Sequence, residues 1–220
     1  MACRVEIILI KHRRNPNERH RGVESRDETE GEAGLDINYG LAPGVQLTAV
    51  LPLTYEHEGS RRRLDVGDVE LAVKYRFLSQ REGTLLPDIA FFPAITLPTG
   101  TGPESGRVRL FLPLWLQKDF GAWSLFGGGG YQINPGAGNR NYWTGGIGVA
   151  RELSDRVTAG AEIYHQTTDE VGGRPYTGAS FGLTYRINET YSVLFSAGPG
   201  LRNTAEGGRY ALYAALLLNL

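Results

Sequence analysis

The sequence predicts an all-β fold, a transmembrane antiparallel up-and-down β-barrel, from three observations: apolar and polar residues alternate, the alternating segments can cross a bilayer, and short and long connections take turns. In DVELAVKYRF, residues 68–77, every second residue is apolar, and two acids and two bases lie between them. Because successive side chains of a strand point to opposite faces, this stretch has one apolar and one charged face. A soluble antiparallel sandwich alternates in the same way, so the remaining segments must decide.

Composition narrows the classes of protein to which the 220-residue chain can belong. Its 30 glycines, 11 tyrosines and 8 phenylalanines fit an all-β chain with many turns. The formal charge of -1 provides no basic surface for nucleic acid, so we expect no nucleic-acid partner. The single cysteine, Cys3, excludes an internal disulfide and a cysteine cluster for zinc. There is no run of 18 apolar residues, so no transmembrane helix is expected.

From residue 32 onward the alternation recurs, and it predicts eleven strands of about ten residues, the length that crosses a bilayer at a tilt. They lie near 32–40, 45–57, 66–79, 86–98, 107–119, 122–133, 142–153, 157–168, 176–188, 190–202 and 209–220. Nothing between them has the pattern of a helix. Four prolines within these segments predict bulges or local breaks, since proline has no N–H for the ladder. They are Pro52, Pro93, Pro113 and Pro199.

The connections fall into two kinds. LAPG, DFGA, LSDR and INET are tight turns, and SQREGTLL is a somewhat longer member of the same series. The others are longer, polar and glycine-rich: EHEGSRRRLDVG, TGTGPESG, NPGAGNRN, TDEVGGRP and NTAEGG. Bacterial outer-membrane barrels have short periplasmic turns and long extracellular loops. The first and last predicted strands would then run in the same direction, so an antiparallel barrel needs one more strand before residue 32, twelve in all.

The sequence predicts two parts: a barrel domain at residues 32–220, and an amino-terminal leader at residues 1–31 whose sequence is unreliable as the true start of the protein. VEIILI lacks alternation, and HRRNPNERHRG carries too many charges for a barrel strand. The leader is also a poor signal peptide, because no small-residue cleavage site follows its short apolar core. We therefore expect a misassigned start, with a signal peptide and the first strand encoded upstream.

Three stretches, in order, resemble a known family. DVELAVKYRF, FFPAITLPTGTG and FLPLWLQKDFG are similar to segments of the bacterial outer-membrane proteins of the meta-pathway of phenol degradation family. The likeness covers about residues 32–220, and its motifs are structural rather than catalytic. It implies an outer-membrane β-barrel of a Gram-negative bacterium that takes up aromatic or other hydrophobic compounds. Membrane lipid, a small-molecule solute and the outer-membrane assembly machinery are the partners expected of such a protein.

We expect no enzymatic activity, although outer-membrane barrels include lipases that use a serine activated by a histidine at the barrel rim. His12 and His20 lie in the leader, and His57 opens a loop. His165 falls on the apolar face and is followed two positions later by Thr167, not by a serine. Neither a metal-ligand spacing nor a phosphate loop is present, because FGGGGY lacks a following Lys-Ser and helix. No catalytic residue, metal or cofactor is predicted.

The inward face is predicted to carry charges of both signs. By parity it includes Asp36, Glu56, Asp68, Glu70, Lys74, Arg76, Asp88, Arg107, Arg109, Glu152, Glu162, Arg186 and Arg202. Charges removed from bulk water must pair or stay hydrated. We interpret them as a cross-lumen network that narrows and stiffens a small barrel, and a hydrated path with weak ion preference is the alternative.

Four inward aromatic residues are the candidates for ligand contact. Phe92, Phe111, Trp115 and Phe126 come from three consecutive strands. Ligand sites combine apolar walls with a few polar groups, but aromatic rings also serve as plain packing in a closed lumen. The sequence thus predicts passive transport or binding of small hydrophobic or aromatic compounds. A structural barrel with a closed lumen is one alternative, and a soluble lipocalin-like carrier is another if the outward face is wet.

Overall fold

A single antiparallel sheet closes on itself in this computed structural model, which describes residues 3–14, 28–58, 60–102 and 105–220. Its strands are β1 (Cys3–Arg14), β2 (Glu28–Ala42), β3 (Val45–Glu58), β4 (Arg61–Val66), β5 (Val69–Leu78), β6 (Asp88–Phe91), β7 (Ala94–Leu97), β8 (Arg109–Phe120), β9 (Trp123–Ile133), β10 (Tyr142–Ser154), β11 (Val157–Gln166), β12 (Tyr176–Arg186), β13 (Tyr191–Arg202) and β14 (Tyr210–Asn219). Each of the eleven predicted strands overlaps one or two of these elements.

Two of the barrel strands are interrupted. β4 and β5 both pair with β3, and β6 and β7 both lie between β5 and β8. Counting each pair as one strand, the described part of the chain forms a closed twelve-stranded antiparallel barrel. This confirms the predicted fold class and strand number.

β1 closes the barrel. Val5 stands opposite Ile37 of β2 on one side and Leu218 of β14 on the other. The expectation that residues 1–31 contain no barrel strand is therefore wrong for Cys3–Arg14. A misassigned start with an upstream signal peptide stays a prediction, and residues 15–27 lie outside the described part of the chain.

The alternation of β1 is hidden because the inner face of this seam is apolar as well. Ile7 points outward and is 49% exposed, so its neighbour Ile8 points inward. Ile8 stands opposite Ala215 of β14, and the next inward residue of β14, Leu217, is 1% exposed. Apolar residues therefore follow one another on both faces, and the period-2 signal disappears.

The outward face is an exposed apolar belt. Leu51, Leu114, Ile147, Phe181 and Phe195 are all outward and more than a third exposed, and Phe181 reaches 65%. Monomeric soluble proteins rarely expose apolar surface on this scale, whereas a membrane barrel turns it to lipid. The arrangement is the reverse of a soluble lipocalin-like carrier, whose apolar face lines its interior.

Aromatic side chains form a girdle at each end of this belt. Tyr39, Tyr75, Trp123, Tyr185 and Tyr191 lie near the short turns, and each is more than a third exposed. At the opposite end, the rings of Tyr131 and Trp143 lie 5.0 Å apart, and Tyr55 and Tyr210 lie at the same end of β3 and β14. Such girdles mark the two membrane–water interfaces.

The sorting of the connections is largely as predicted. The short connections 43–44, 79–87, 121–122, 155–156 and 187–190 share one end with Cys3 and Leu220, whose backbones exchange hydrogen bonds of 3.1 and 2.8 Å. Longer connections, including 134–141 and 167–175, lie at the other end. Two details differ: 61–66 of the expected loop 56–67 forms β4, and a one-turn helix, α1 (Thr204–Gly207), lies in the last loop. The described residues include no helix long and apolar enough to cross a membrane.

Of the four prolines, Pro93 breaks its strand, between β6 and β7. The other three stay within strands: Pro199 stands opposite Tyr210 of β14, and the other two have glycines beside them. Pro113 stands opposite Gly130, and Gly67 packs on the ring of Pro52 while its N–H donates to the Pro52 carbonyl at 2.9 Å. Proline in a barrel strand is tolerated here where glycine leaves room for its ring.

Candidate functional site in the barrel lumen

The four inward aromatic residues, which we call the aromatic patch, occupy adjoining positions on the inner wall. Phe111 and Trp115 of β8 stand opposite Ala94 and Ala90. The Phe92 N–H donates to the carbonyl of Pro113 at 3.2 Å, which sets Phe92 at a level between those two rings. Phe126 of β9 stands opposite Gln117, one inward position below Trp115. A ligand-binding role for the patch stays a prediction.

Glycines of FGGGGY make room for the patch. Gly128 stands opposite Trp115, and a Cβ there would lie 2.9 Å from the Trp115 Cα. Gly148 of β10 stands opposite Phe126, and a Cβ there would lie 2.5 Å from Cε2 and Cζ of that ring. The segment lies wholly within β9, so its glycines admit bulky neighbours rather than cradle a phosphate.

Charged side chains surround the patch on the same side of the barrel. Lys74 Nζ lies 5.9 Å from the centroid of the Phe92 ring, a cation–π distance. Arg76 Nη1 lies 3.5 Å from Asp88 Oδ1. Glu70 hydrogen-bonds to Thr96 and lies within electrostatic range of Arg109. The predicted charges therefore meet close to the aromatic rings.

The expected cross-lumen network is not found among the described residues. Their ion pairs link positions along the wall, such as Arg4 Nε to Glu6 Oε1 at 3.1 Å within β1 and Arg76 to Asp88 between β5 and β6. The ion pairs of the described residues therefore lie along the wall, and a stiffening role for these charges stays a prediction.

Among the described acids that form ion pairs, Asp68 is the most buried, with a side chain that is 5% exposed. It lies in the break between β4 and β5, where its carboxylate accepts hydrogen bonds from the Gly100 N–H at 3.0 Å and Ser105 Oγ at 2.5 Å. Arg109 Nη2 lies 3.3 Å from its other oxygen. Asp68 thus ties an extracellular loop to the wall rather than facing a solute.

Two predicted lumen residues lie elsewhere. Arg107 is exposed in the connection before β8, so its assignment to a strand is wrong. Arg186 is the last residue of β12, and its guanidinium donates to the backbone carbonyl of Asp155 in the neighbouring turn. Alternation predicted that both residues face inward, but it does not predict where a strand begins or ends.

The opposite side of the lumen holds a cavity of about 590 Å³, here called the lumen cavity. It is lined by inward residues of β9–β14, among them Phe126, Glu162, Tyr164, Ser180, Ser196 and Tyr213. Of the predicted lumen residues, Phe126 and Glu162 contribute to it. Sequence reasoning missed small lining residues such as Ala150, Gly160 and Gly182, which carry no charge or ring, and it assigned no lumen role to Tyr164 and Tyr213. The recurrence of small residues at alternate positions of these strands was the sequence pattern that could have indicated the cavity.

A tyrosine pair lies at the extracellular side of this cavity. The hydroxyls of Tyr164 and Tyr176 are 3.3 Å apart, their ring centroids are 5.8 Å apart, and Tyr176 is 8% exposed. Gly207 of α1 packs directly on the Tyr176 ring, where any Cβ would overlap it. Asn203 Nδ2 also donates to the Pro175 carbonyl at 2.6 Å. The last loop is thereby held against the upper rim of the cavity.

Next to the apolar contact of Ile8, the inner faces of β1 and β2 carry several acids, and Glu70 of β5 adds another. Glu6, Glu32, Asp36 and Glu70 all point inward, and Glu32 lies within electrostatic range of Glu70. Asn38 Nδ2 donates to Asp36 Oδ1 at 2.8 Å, and Thr48 Oγ1 donates to Asn38 Oδ1 at 2.7 Å. Arg4 balances part of this charge through Glu6. A solute in the lumen would therefore meet a wall of negative potential on this side.

The histidines that sequence reasoning considered do not assemble a catalytic pair in the described residues. His165 is exposed on the outward face, and its Nδ1 lies 2.8 Å from Thr177 Oγ1 of β12. His57 lies near the end of β3, in register with Arg62. The side chains of His12 and His20 fall outside the described part of the chain.

A family model that covers most of the chain shows the family to which this protein belongs. The model of the family described as MetA-pathway of phenol degradation matches residues 18–216. The chain belongs to this family. Its members are the group that the three sequence stretches resemble, so the resemblance is confirmed. No curated protein sequence matches the chain.

Solved structures of low sequence identity share the fold of this family member. An outer membrane channel from Pseudomonas putida F1 matches with a TM-score of 0.76 and 14% identity, over 100% of this chain and 96% of the channel. The NanC porin matches with a TM-score of 0.60 and 9% identity, over 97% of each chain. The outer membrane phospholipase A from Escherichia coli matches with a TM-score of 0.52 and 13% identity, over 97% and 95%. At these identities the likeness establishes the outer-membrane barrel fold.

Proposed function

We propose that this protein lets small hydrophobic or aromatic compounds pass through, or bind within, its lumen in the bacterial outer membrane. The observation that carries this function is the lumen cavity of about 590 Å³ enclosed by a wall whose outer face is apolar. Its volume falls in the range of about 300–1,000 Å³ that small-molecule sites occupy. The likeness to a channel and a porin, and the name of the family, support passive transport.

The residues of the lumen suit such solutes. The aromatic patch supplies apolar surface on one side, and small residues such as Gly160 and Gly182 leave space on the other. Lys74, Arg76 and Glu70 add a few polar contacts beside the rings. Apolar walls with a small number of polar groups are the usual composition of a site for an aromatic molecule.

Uptake through the aromatic patch tests this function. In liposomes, the double variant Phe111→Ala and Trp115→Ala should pass an aromatic solute such as benzyl alcohol several-fold more slowly, because it removes the largest apolar surfaces of the lumen. Phe181→Ala is the matched control, since that ring is 65% exposed on the lipid face. If the double variant still folds, as shown by its shifted band on unboiled gels, and its uptake is unchanged, the aromatic patch serves only as packing.

We propose no enzymatic role, despite the likeness to a phospholipase. The described residues place His165 on the outward face beside Thr177, which is not an arrangement of a nucleophilic serine and its base. Partners follow from the same proposal: lipid around the belt, a solute in the lumen, and the outer-membrane assembly machinery during insertion.

A further inference from the structure

Among the described residues, Glu162 is the one carboxylate that lines the lumen cavity. It lies in the middle of β11, directly opposite Gly148 of β10 and Ser180 of β12. Neither neighbouring strand therefore presents a cation to it at the same level, and Glu162 takes part in no ion pair among the described residues. Glu162 is exposed to the lumen rather than buried, so a cation that enters the cavity can reach its carboxylate and form an ion pair with it.

An aromatic ring lies beside this carboxylate. The Phe126 ring packs over Gly148, the same residue that stands opposite Glu162, so the ring and the carboxylate adjoin across β10. Tyr164, two positions along β11, and Tyr213 of β14 also line the cavity. A carboxylate next to aromatic faces is a favourable environment for an ammonium group, which gains both an ion pair and a cation–π contact.

The potential on the β1–β2 side of the cavity has the same preference. Tyr213 links the cavity to the acidic wall, because it lies within electrostatic range of Glu6 and Asp36 as well as Arg4. None of the described residues that line the cavity is basic. An organic anion would thus meet negative charge on two sides, whereas an organic cation would be attracted.

We propose that the lumen cavity binds small organic amines, with the ammonium group between Glu162 and Phe126 and the apolar body along the small-residue wall. This inference specifies the class of solute for the proposed function. It depends on the proposed function only in one respect, namely that solutes can enter the lumen. Specificity then comes from charge: amine cations bind better than neutral molecules of the same shape, and carboxylates are rejected.

Three probes of similar shape test it: benzylammonium, benzyl alcohol and benzoate. The full chain, refolded in detergent, is titrated with each by calorimetry. Benzylammonium should bind at least about tenfold more tightly than benzyl alcohol, the difference expected for one charge-assisted contact, and benzoate should not bind. Glu162→Gln should abolish this preference. Glu152→Gln, a carboxylate of β10 that does not line the cavity, is the matched control and should retain it.

The inference is overturned if the wild type binds the amine and the alcohol equally, or if Glu162→Gln leaves amine binding unchanged while its unboiled band shows a folded barrel. This failure is distinguishable from failure of the proposed function. If the protein transports benzyl alcohol into liposomes and shows no preference for the amine, the proposed transport function is supported and the amine site is contradicted. If the protein binds the amine but transports none of the three probes, the amine site is supported and the proposed transport function is contradicted.

Discussion

At the scale of single residues, the inner surface depends on glycines that stand opposite large side chains. Gly130 faces Pro113, Gly128 faces Trp115, and Gly148 faces Phe126. Each glycine lets a neighbouring strand carry a ring or a proline without separating the backbones. The sequence shows the glycines, but which large residue each one faces depends on register between strands, and no local pattern specifies that register.

Gly130 provides the sharpest test of this pairing. A Cβ at Gly130 would lie 2.5 Å from the Pro113 Cα and 2.7 Å from the Leu112 carbonyl oxygen, and neither backbone atom can move freely. Gly130→Ala should therefore lower the free energy of unfolding by about 1–3 kcal/mol. Gly182→Ala is the control, because the nearest atom to its Cβ, Ser196 Cβ, is 3.5 Å away. Urea midpoints of refolded barrels in vesicles measure both, and equal midpoints would show that the wall yields at Gly130.

At the scale of elements, alternation located the strands well where one face meets lipid and the other meets polar groups. It failed at β1, where Ile8 and Leu217 make the inner face apolar, and at residues 61–66, where a charged run pairs with β3 as β4. The strand ends were also inexact, as Arg107 shows. Strand pairing with distant segments decides these cases, and a local pattern does not contain it.

The position of β1 in the wall is testable with one charge. Ile7 is outward in the apolar belt, so Ile7→Arg should reduce insertion and stability by about 2–4 kcal/mol, the cost of arginine near the bilayer midplane. Leu85→Arg is the control, since Leu85 is 83% exposed in the connection 79–87, outside the belt. Folded yield in lipid vesicles, followed by the gel shift on boiling, compares them. If both variants fold equally well, β1 is not exposed to lipid.

At the scale of the whole molecule, the protein is inverted relative to a soluble domain. Large apolar side chains are exposed around the outside, and Leu217 and Pro113 are its largest fully buried side chains among the described residues. Charges and small residues lie inside, around a cavity. Stability therefore depends on the closed hydrogen-bonded wall and the surrounding lipid rather than on a packed apolar core.

Cell fractionation tests this architecture directly. With a working signal peptide attached, the chain should sediment with the outer membrane and migrate differently on SDS gels before and after boiling, because a closed barrel resists the detergent until heated. A resident outer-membrane barrel of the host and a periplasmic enzyme serve as markers. Recovery in the soluble fraction without any shift would contradict a membrane barrel.

The sequence by itself determined the all-β class, most strand positions, the face of each side chain and the sorting of the loops. These properties follow from a period of two and from turn composition, which are local. Only the tertiary structure decided that β1 pairs with β14, that a loop is tied to Asp68, and that Glu162 and Phe126 adjoin across Gly148. Each of these contacts joins residues distant in the chain, and their meeting depends on barrel closure and cross-strand register.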